Sequence, residues 1–131
     1  KLKRFIKRRN EIAKFYNDKL KDSSLFEIPK VKNNIFHAYH LYPLKIRFDK
    51  LTISKDMLLK KLRLKGINLQ IHYIPIHHHK LYRTKINSYL PNTEEFFKQV
   101  VSLPIYFSLK NSQINYVVKN LRKLIYSNLK K

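Results

Sequence analysis

The sequence predicts an α+β fold: a small antiparallel or mixed sheet of about three strands with helices packed on it. Three observations carry this. Apolar residues recur at steps of three and four near both ends of the chain, they alternate at period two in two central stretches, and prolines with a lone glycine punctuate the segments between. With 131 residues, the chain reads as a single domain, 1–131, able to bury one ordinary core.

Residues 1 to about 21 form the first expected helix, because Leu2, Phe5, Ile6, Ile12, Ala13, Tyr16 and Leu20 make one apolar stripe. Lys7, Arg8, Lys14 and Asp18 occupy the opposite face, Asp22-Ser23-Ser24 ends the helix, and Pro29 marks an extended link. Residues 34–48 predict a long strand or a bent pair of strands, with Pro43 at an edge position or bulge. Ser54 or Thr52 caps a second helix through Met57, Leu58, Leu59 and Leu62, and Gly66 sits where a left-handed helix stop belongs. Residues 67–74 predict another strand, with Ile67, Leu69, Ile71 and Tyr73 facing the core and Asn68, Gln70 and His72 facing outward. Asn92 and Glu95 have the spacing of a capping box opening a short helix through Phe96, Phe97 and Val100. Ser102 to Tyr106 is a short extended piece. Residues 112–129 close the chain as a helix striped by Ile114, Val117, Val118, Leu121, Leu124, Ile125 and Leu129.

Composition narrows the function classes. The chain has 29 Lys and Arg against 8 Asp and Glu, an excess that attracts polyanions. The cations are spread along the chain, however, and Lys, Asn, Ile, Tyr and Phe are all abundant, which points to compositional bias rather than a dedicated nucleic-acid surface. No apolar run reaches membrane-spanning length. The absence of cysteine excludes disulfides and thiolate chemistry and fits a cytoplasmic protein. Lys1 rather than Met opens the chain, so a fragment or processed product is expected.

Chemistry concentrates in Gln70–Arg83. Four of the six histidines lie there, at positions 72, 77, 78 and 79. His77, His78 and His79 are consecutive and cannot all converge on one ion along an extended chain. His72 and His77 can converge, but no cysteine or nearby carboxylate completes a familiar ligand set, so no metal is expected. His37 and His40 read as strand side chains, and Glu94-Glu95 is explained by the helix start it occupies. There is no nucleophile elbow, and one glycine cannot make a phosphate loop. The segment holds parts of a polar site without a complete catalytic set.

Taken in order, several motifs resemble the C-terminal part of the DegT/DnrJ/StrS family of pyridoxal-phosphate-dependent nucleotide-sugar aminotransferases. They are Arg8-Arg9-Asn10-Glu11-Ile12-Ala13 with Tyr16, then His40-Leu41-Tyr42-Pro43, then Lys65-Gly66-Ile67. His72-Tyr73-Ile74-Pro75-Ile76-His77, Tyr82-Arg83, Pro91-Asn92-Thr93-Glu94 and Ser102-Leu103-Pro104-Ile105-Tyr106 follow. Within the family the pattern is most similar to enzymes that aminate 4-keto-6-deoxy UDP-sugars, as in pseudaminic acid or bacillosamine pathways.

The resemblance implies the small domain of a fold-type-I aminotransferase, with residues 1–21 the helix linking it to a large domain. It implies a homodimer, a nucleotide-sugar substrate in polysaccharide or glycan biosynthesis, and glutamate as amino donor. The lysine that holds pyridoxal phosphate belongs to the large domain, so no catalytic or cofactor-binding residue is expected in this chain, which alone is expected to be inactive. His72, Tyr73 and His77 are implied contacts to sugar or phosphate, and Arg83 a further phosphate contact. His78, His79 and Lys80 match no fixed pattern. Two alternatives stand beside this reading: a basic nucleic-acid-binding module, and a regulatory or pseudoenzyme descendant of the same family.

Overall fold

The computed structural model describes residues 1–82 and 90–130. In chain order its elements are α1 (Leu2–Leu20), β1 (Phe26–Glu27), β2 (Tyr42–Ile46), α2 (Lys55–Arg63), α3 (Pro91–Gln99), β3 (Val100–Leu103) and α4 (Asn111–Tyr126). Short 3₁₀ turns occupy Phe48–Lys50 and Ile76–His78. The three strands form one antiparallel sheet in the order β1-β2-β3, which makes the fold α+β as the periodicities predict. No helix among the described residues is long and apolar enough to cross a membrane.

β2 is the central strand, although it contains Pro43. The register explains how proline is tolerated. Pro43 lies opposite Ser102, whose own N–H and C=O both pair with Gln70, at 2.8 and 3.2 Å. Ser102 therefore directs its backbone groups away from β2, and Pro43 turns its missing N–H away from β3. On that other side β1 pairs only as far as Lys45. The proline is locally at an edge, and no ladder bond is lost.

One expected strand is shorter than the periodicity suggests, and another does not form. In the 34–48 stretch only Tyr42–Ile46 joins the sheet, and Phe36 is 80% exposed. Residues 35–41 are irregular because side chains of α1 take their carbonyls and Tyr39 has φ +45. In the 67–74 stretch only Gln70 pairs, through its bridge to Ser102. Ile67 and Leu69 are buried as expected, whereas Tyr73 is 73% exposed, so the alternation ends before it.

Helix boundaries also shift by one to three residues, α4 ending at Tyr126 rather than 129. α3 starts at Pro91 with Leu90 as its N-cap, so Asn92 lies inside the helix and makes no capping box. Proline's fixed φ suits the first helical position, where no N–H is needed. β3 begins directly at the end of α3 and stops before Pro104. At α2 the expectation holds, with Ser54 Oγ accepting from the Met57 N–H at 3.2 Å. Gly66 follows that helix with φ +72, a backbone conformation glycine adopts without penalty.

The core lies between the sheet and helices α1, α2 and α4. Ile12, Ala13, Tyr16 and Leu20 of α1 meet Tyr42, Leu44 and Ile46 of β2, Leu58 and Leu62 of α2, and Ile114, Leu121 and Ile125 of α4. Two phenols are buried at its centre with their rings 4.9 Å apart. Tyr16 donates to the Pro104 carbonyl at 2.9 Å and Tyr42 to Asn17 Oδ1 at 2.6 Å, so burial strands neither hydroxyl.

Burial pushes the ionisation of Tyr16 and Tyr42 well above the ordinary tyrosine value of 10.0. The folded state thus holds these protons more tightly than the unfolded chain does. Their contribution to stability is complete below pH 10.0 and declines as pH rises above it. Spectrophotometric titration is expected to show exposed tyrosines ionising first and these two only with unfolding. Early ionisation of all tyrosines in a still-folded chain would contradict this burial.

Candidate functional site

A cleft of about 720 Å³ opens between residues 66–72, the end of β3 with the segment that follows it, and the first turns of α4. Its walls carry Asn68, Gln70, Ser102, Ser112, Gln113 and Tyr116 as neutral hydrogen-bonding groups, together with His72, and Arg9 and His40 at another side. Among the described residues neither lysine nor carboxylate lines it. The cleft can therefore bind and orient a polar ligand and meet an anion at one place.

The group able to meet an anion is Arg9, which α1 presents half-buried from its middle. Its Nη1 donates to the carbonyls of Tyr39 and His40, both at 2.8 Å. Among the described residues its other guanidinium N–H groups have no protein acceptor, so the fork retains donors for a carboxylate or phosphate oxygen. Beside it Asn10 Nδ2 donates to the His37 carbonyl at 2.9 Å. Arg8 Nη2 reaches the Leu109 carbonyl at 2.6 Å on the segment leading to α4. The Tyr39 N–H donates in turn to His37 Nδ1 at 3.1 Å, so His37 belongs to a turn rather than a strand.

His72 is the predicted site residue that the structure places in this cleft. Its Nδ1 pairs with Ser102 Oγ at 2.9 Å, which fixes the ring and leaves Nε2 as its remaining polar atom. The pairing follows from the Gln70–Ser102 bridge, which sets the 70–72 segment alongside β3. Tyr73 stands next to it, its ring edge-on to His72 at 4.9 Å. Exposed, it does not line the cleft and is not the core-facing strand end expected from simple alternation.

His77 goes elsewhere. The 3₁₀ turn at Ile76–His78 follows buried Pro75 and curls the chain, so that His77 and His78 aim at one point although they are consecutive. Both Nε2 atoms meet Glu94 Oε1 in the first turn of α3, at 2.5 and 2.6 Å. These contacts, that from His77 foremost, hold the Glu94 carboxyl below its ordinary range. The expectation that no carboxylate lies near these histidines is corrected: Glu94 does more than complement a helix start. The His78 ring packs edge-on to Phe97 at 5.5 Å. Lys55 Nζ lies over the Phe97 ring itself, 4.2 Å from its centroid, and donates to the Phe97 carbonyl. His79 and Lys80 are exposed, and Arg83 lies outside the described residues.

Sequence reasoning missed Arg9 and Glu94 as site residues. Arg9 was visible only as part of the Arg8-Arg9-Asn10 motif, and its role depends on a loop thirty residues away. Glu94 was hidden because an acidic residue in a helix's first turn already has a sufficient local explanation.

The profile of the DegT/DnrJ/EryC1/StrS aminotransferase family matches residues 1–122. An uncharacterized protein of Methanocaldococcus jannaschii is 36% identical over 126 residues, covering 93% of this chain and 32% of that protein. A UDP-4-amino-4,6-dideoxy-N-acetyl-beta-L-altrosamine transaminase of Campylobacter jejuni is 27% identical over 126 residues, covering 95% and 33%. Among solved structures, Helicobacter pylori PseC, an aminotransferase involved in the biosynthesis of pseudoaminic acid, superposes with a TM-score of 0.84. It is 28% identical, with 94% of this chain and 33% of that one covered. The chain thus spans about a third of the length of these relatives.

Replacing Arg9 with Ala removes two charge-assisted hydrogen bonds to the Tyr39 and His40 carbonyls. The expected cost is about 1.5–3 kcal/mol in denaturant unfolding, with faster amide exchange confined to residues 36–41. Unchanged exchange there would show that Arg9 does not hold the loop.

Proposed function

From the premise that the chain belongs to the DegT/DnrJ/EryC1/StrS aminotransferase family, we propose that it is the C-terminal small domain of a nucleotide-sugar transaminase and forms one wall of its substrate cleft. Residues 1–21 would link it to a large domain, in a homodimer located in the cytoplasm. The amino group would come from an amino acid, with glutamate the expected donor, and pass to a keto sugar carried on a nucleotide. The single observation that carries this reading is the cleft's composition. Neutral hydrogen-bonding groups and one arginine suit a sugar and its phosphates.

Members of the family use pyridoxal phosphate, and the residues present do not fit its anchors. Among the described residues lining the cleft there is no lysine amine to take the cofactor aldehyde and no carboxylate to pair with its ring nitrogen. Lys55 has an amine that burial makes more readily neutral, yet it is spent on the Phe97 carbonyl and lines no cleft wall. No catalytic step is therefore assigned to this chain.

Its residues bind and orient. His72 Nε2 would meet a sugar hydroxyl or phosphate oxygen, with Ser102 holding the ring in place. Tyr73 would reach the ligand from beside His72, and Arg9 would offer its remaining N–H groups to the diphosphate. His77 in its present position donates to Glu94 and would reach a phosphate only by turning away from that carboxylate. Arg83 remains a proposed phosphate contact.

Two measurements test this reading. Borohydride reduction of the 131-residue chain with pyridoxal phosphate is expected to leave no lysine labelled stoichiometrically when digested and weighed. One lysine labelled to completion would place a cofactor anchor here and contradict the proposal. In the full-length enzyme, His72→Ala is expected to raise KM for the nucleotide sugar about threefold to tenfold, the value of one neutral hydrogen bond. KM for the amino donor should stay unchanged; an equal rise in both would remove His72 from the sugar side.

A further inference from the structure

We propose that His77, His78 and Glu94 form a binding site for a zinc-type divalent transition-metal ion, separate from the substrate cleft and from transamination chemistry. The donor atoms, two imidazole Nε2 and a carboxylate oxygen, all lie within 4.8 Å of one another. Two imidazoles and a carboxylate make a recognised zinc ligand set that leaves a fourth position for water.

The geometry is specific to these residues. The His77 and His78 rings stand 74° apart with centroids separated by 4.5 Å, so each Nε2 approaches the same Glu94 oxygen from a different direction. Around a tetrahedral zinc at ordinary bond lengths, donor atoms stand roughly 3.3 Å apart. The present separations of 2.5 and 2.6 Å need open by less than an ångström to admit the ion. Proton balance is simple. To ligate, each ring presents the Nε2 lone pair to the ion and carries its proton on Nδ1, and the proton now lying between Nε2 and Oε1 is displaced from that direction.

Charge pairing elsewhere sharpens the assignment. In a chain with 29 Lys and Arg, Asp18, Glu27, Asp49 and Glu11 pair with Lys or Arg. Among the described residues Glu94 pairs only with histidines, which ligate metals as lysine and arginine do not. The environment is also partly dry, with the His77 side chain 15% exposed and that of Glu94 31% exposed. The net charge of +21 opposes any cation by long-range repulsion. Binding must then come from nitrogen-donor affinity, which favours zinc, nickel and copper and excludes magnesium and calcium.

The test is zinc titrated near neutral pH into the 131-residue chain, in competition with a chromophoric chelator. One equivalent is expected to bind. His78→Ala and Glu94→Gln should each weaken it at least tenfold, while His79→Ala and His37→Ala leave it unchanged and millimolar magnesium does not compete. Cobalt substitution should give visible ligand-field absorption that zinc abolishes, and circular dichroism confirms that each variant is folded. Absence of a stoichiometric equivalent, or one insensitive to His78→Ala and Glu94→Gln, overturns the proposal.

Discussion

Helix α1 holds the molecule together through donors aimed at backbone carbonyls that the sheet leaves unpaired. Arg8, Arg9 and Asn10 span from the helix to the Leu109, Tyr39, His40 and His37 carbonyls. Tyr16, about two turns further on, secures the Pro104 carbonyl from inside the core. A three-stranded sheet with a two-residue edge strand cannot organise such long connections by itself. Backbone groups outside the ladder need partners, and side chains of one helix supply them. The cleft exists because these segments are held apart at fixed distances from α1.

That dependence explains what the sequence made legible. The stripes of α1 and α4 were readable because Ile12, Tyr16, Ile114, Leu121 and Ile125 answer to helical periodicity alone. Ser54 and Gly66 were readable because capping and positive φ are local properties. The irregular course of 35–41 was not, since Phe36, Ala38 and His40 mimic a strand's alternation. What cancels the strand is Arg9 and Asn10, residues about thirty positions away in sequence. The lone Gln70–Ser102 pairing was equally hidden, because a bridge depends on how far the partner strand extends.

The Gln70–Arg83 segment divides into two places in three dimensions. His72 belongs to the cleft through Ser102, and the His77–His78 turn belongs to α3 through Glu94. Sequence proximity suggested one cluster; Pro75 and the 3₁₀ turn beyond it separate the imidazoles. We propose the first group for recognition of a sugar nucleotide and the second for a zinc-type divalent ion. Among the described residues the cleft is lined by no amine and no carboxylate, and the Glu94 carboxylate of the second group is engaged by its two imidazoles.

The central claim is that a nucleotide sugar binds against the wall built by His72, Ser102 and Arg9. Its most direct test is a titration of isotopically labelled chain with a uridine diphosphate sugar, followed by amide and imidazole resonance shifts. Saturable shifts concentrated at Asn68, Gln70, His72 and Ser102, and lost in Arg9→Ala, are the expected result. Shifts scattered over the exposed lysines and abolished by moderate salt, with the His72 ring unmoved, would contradict it.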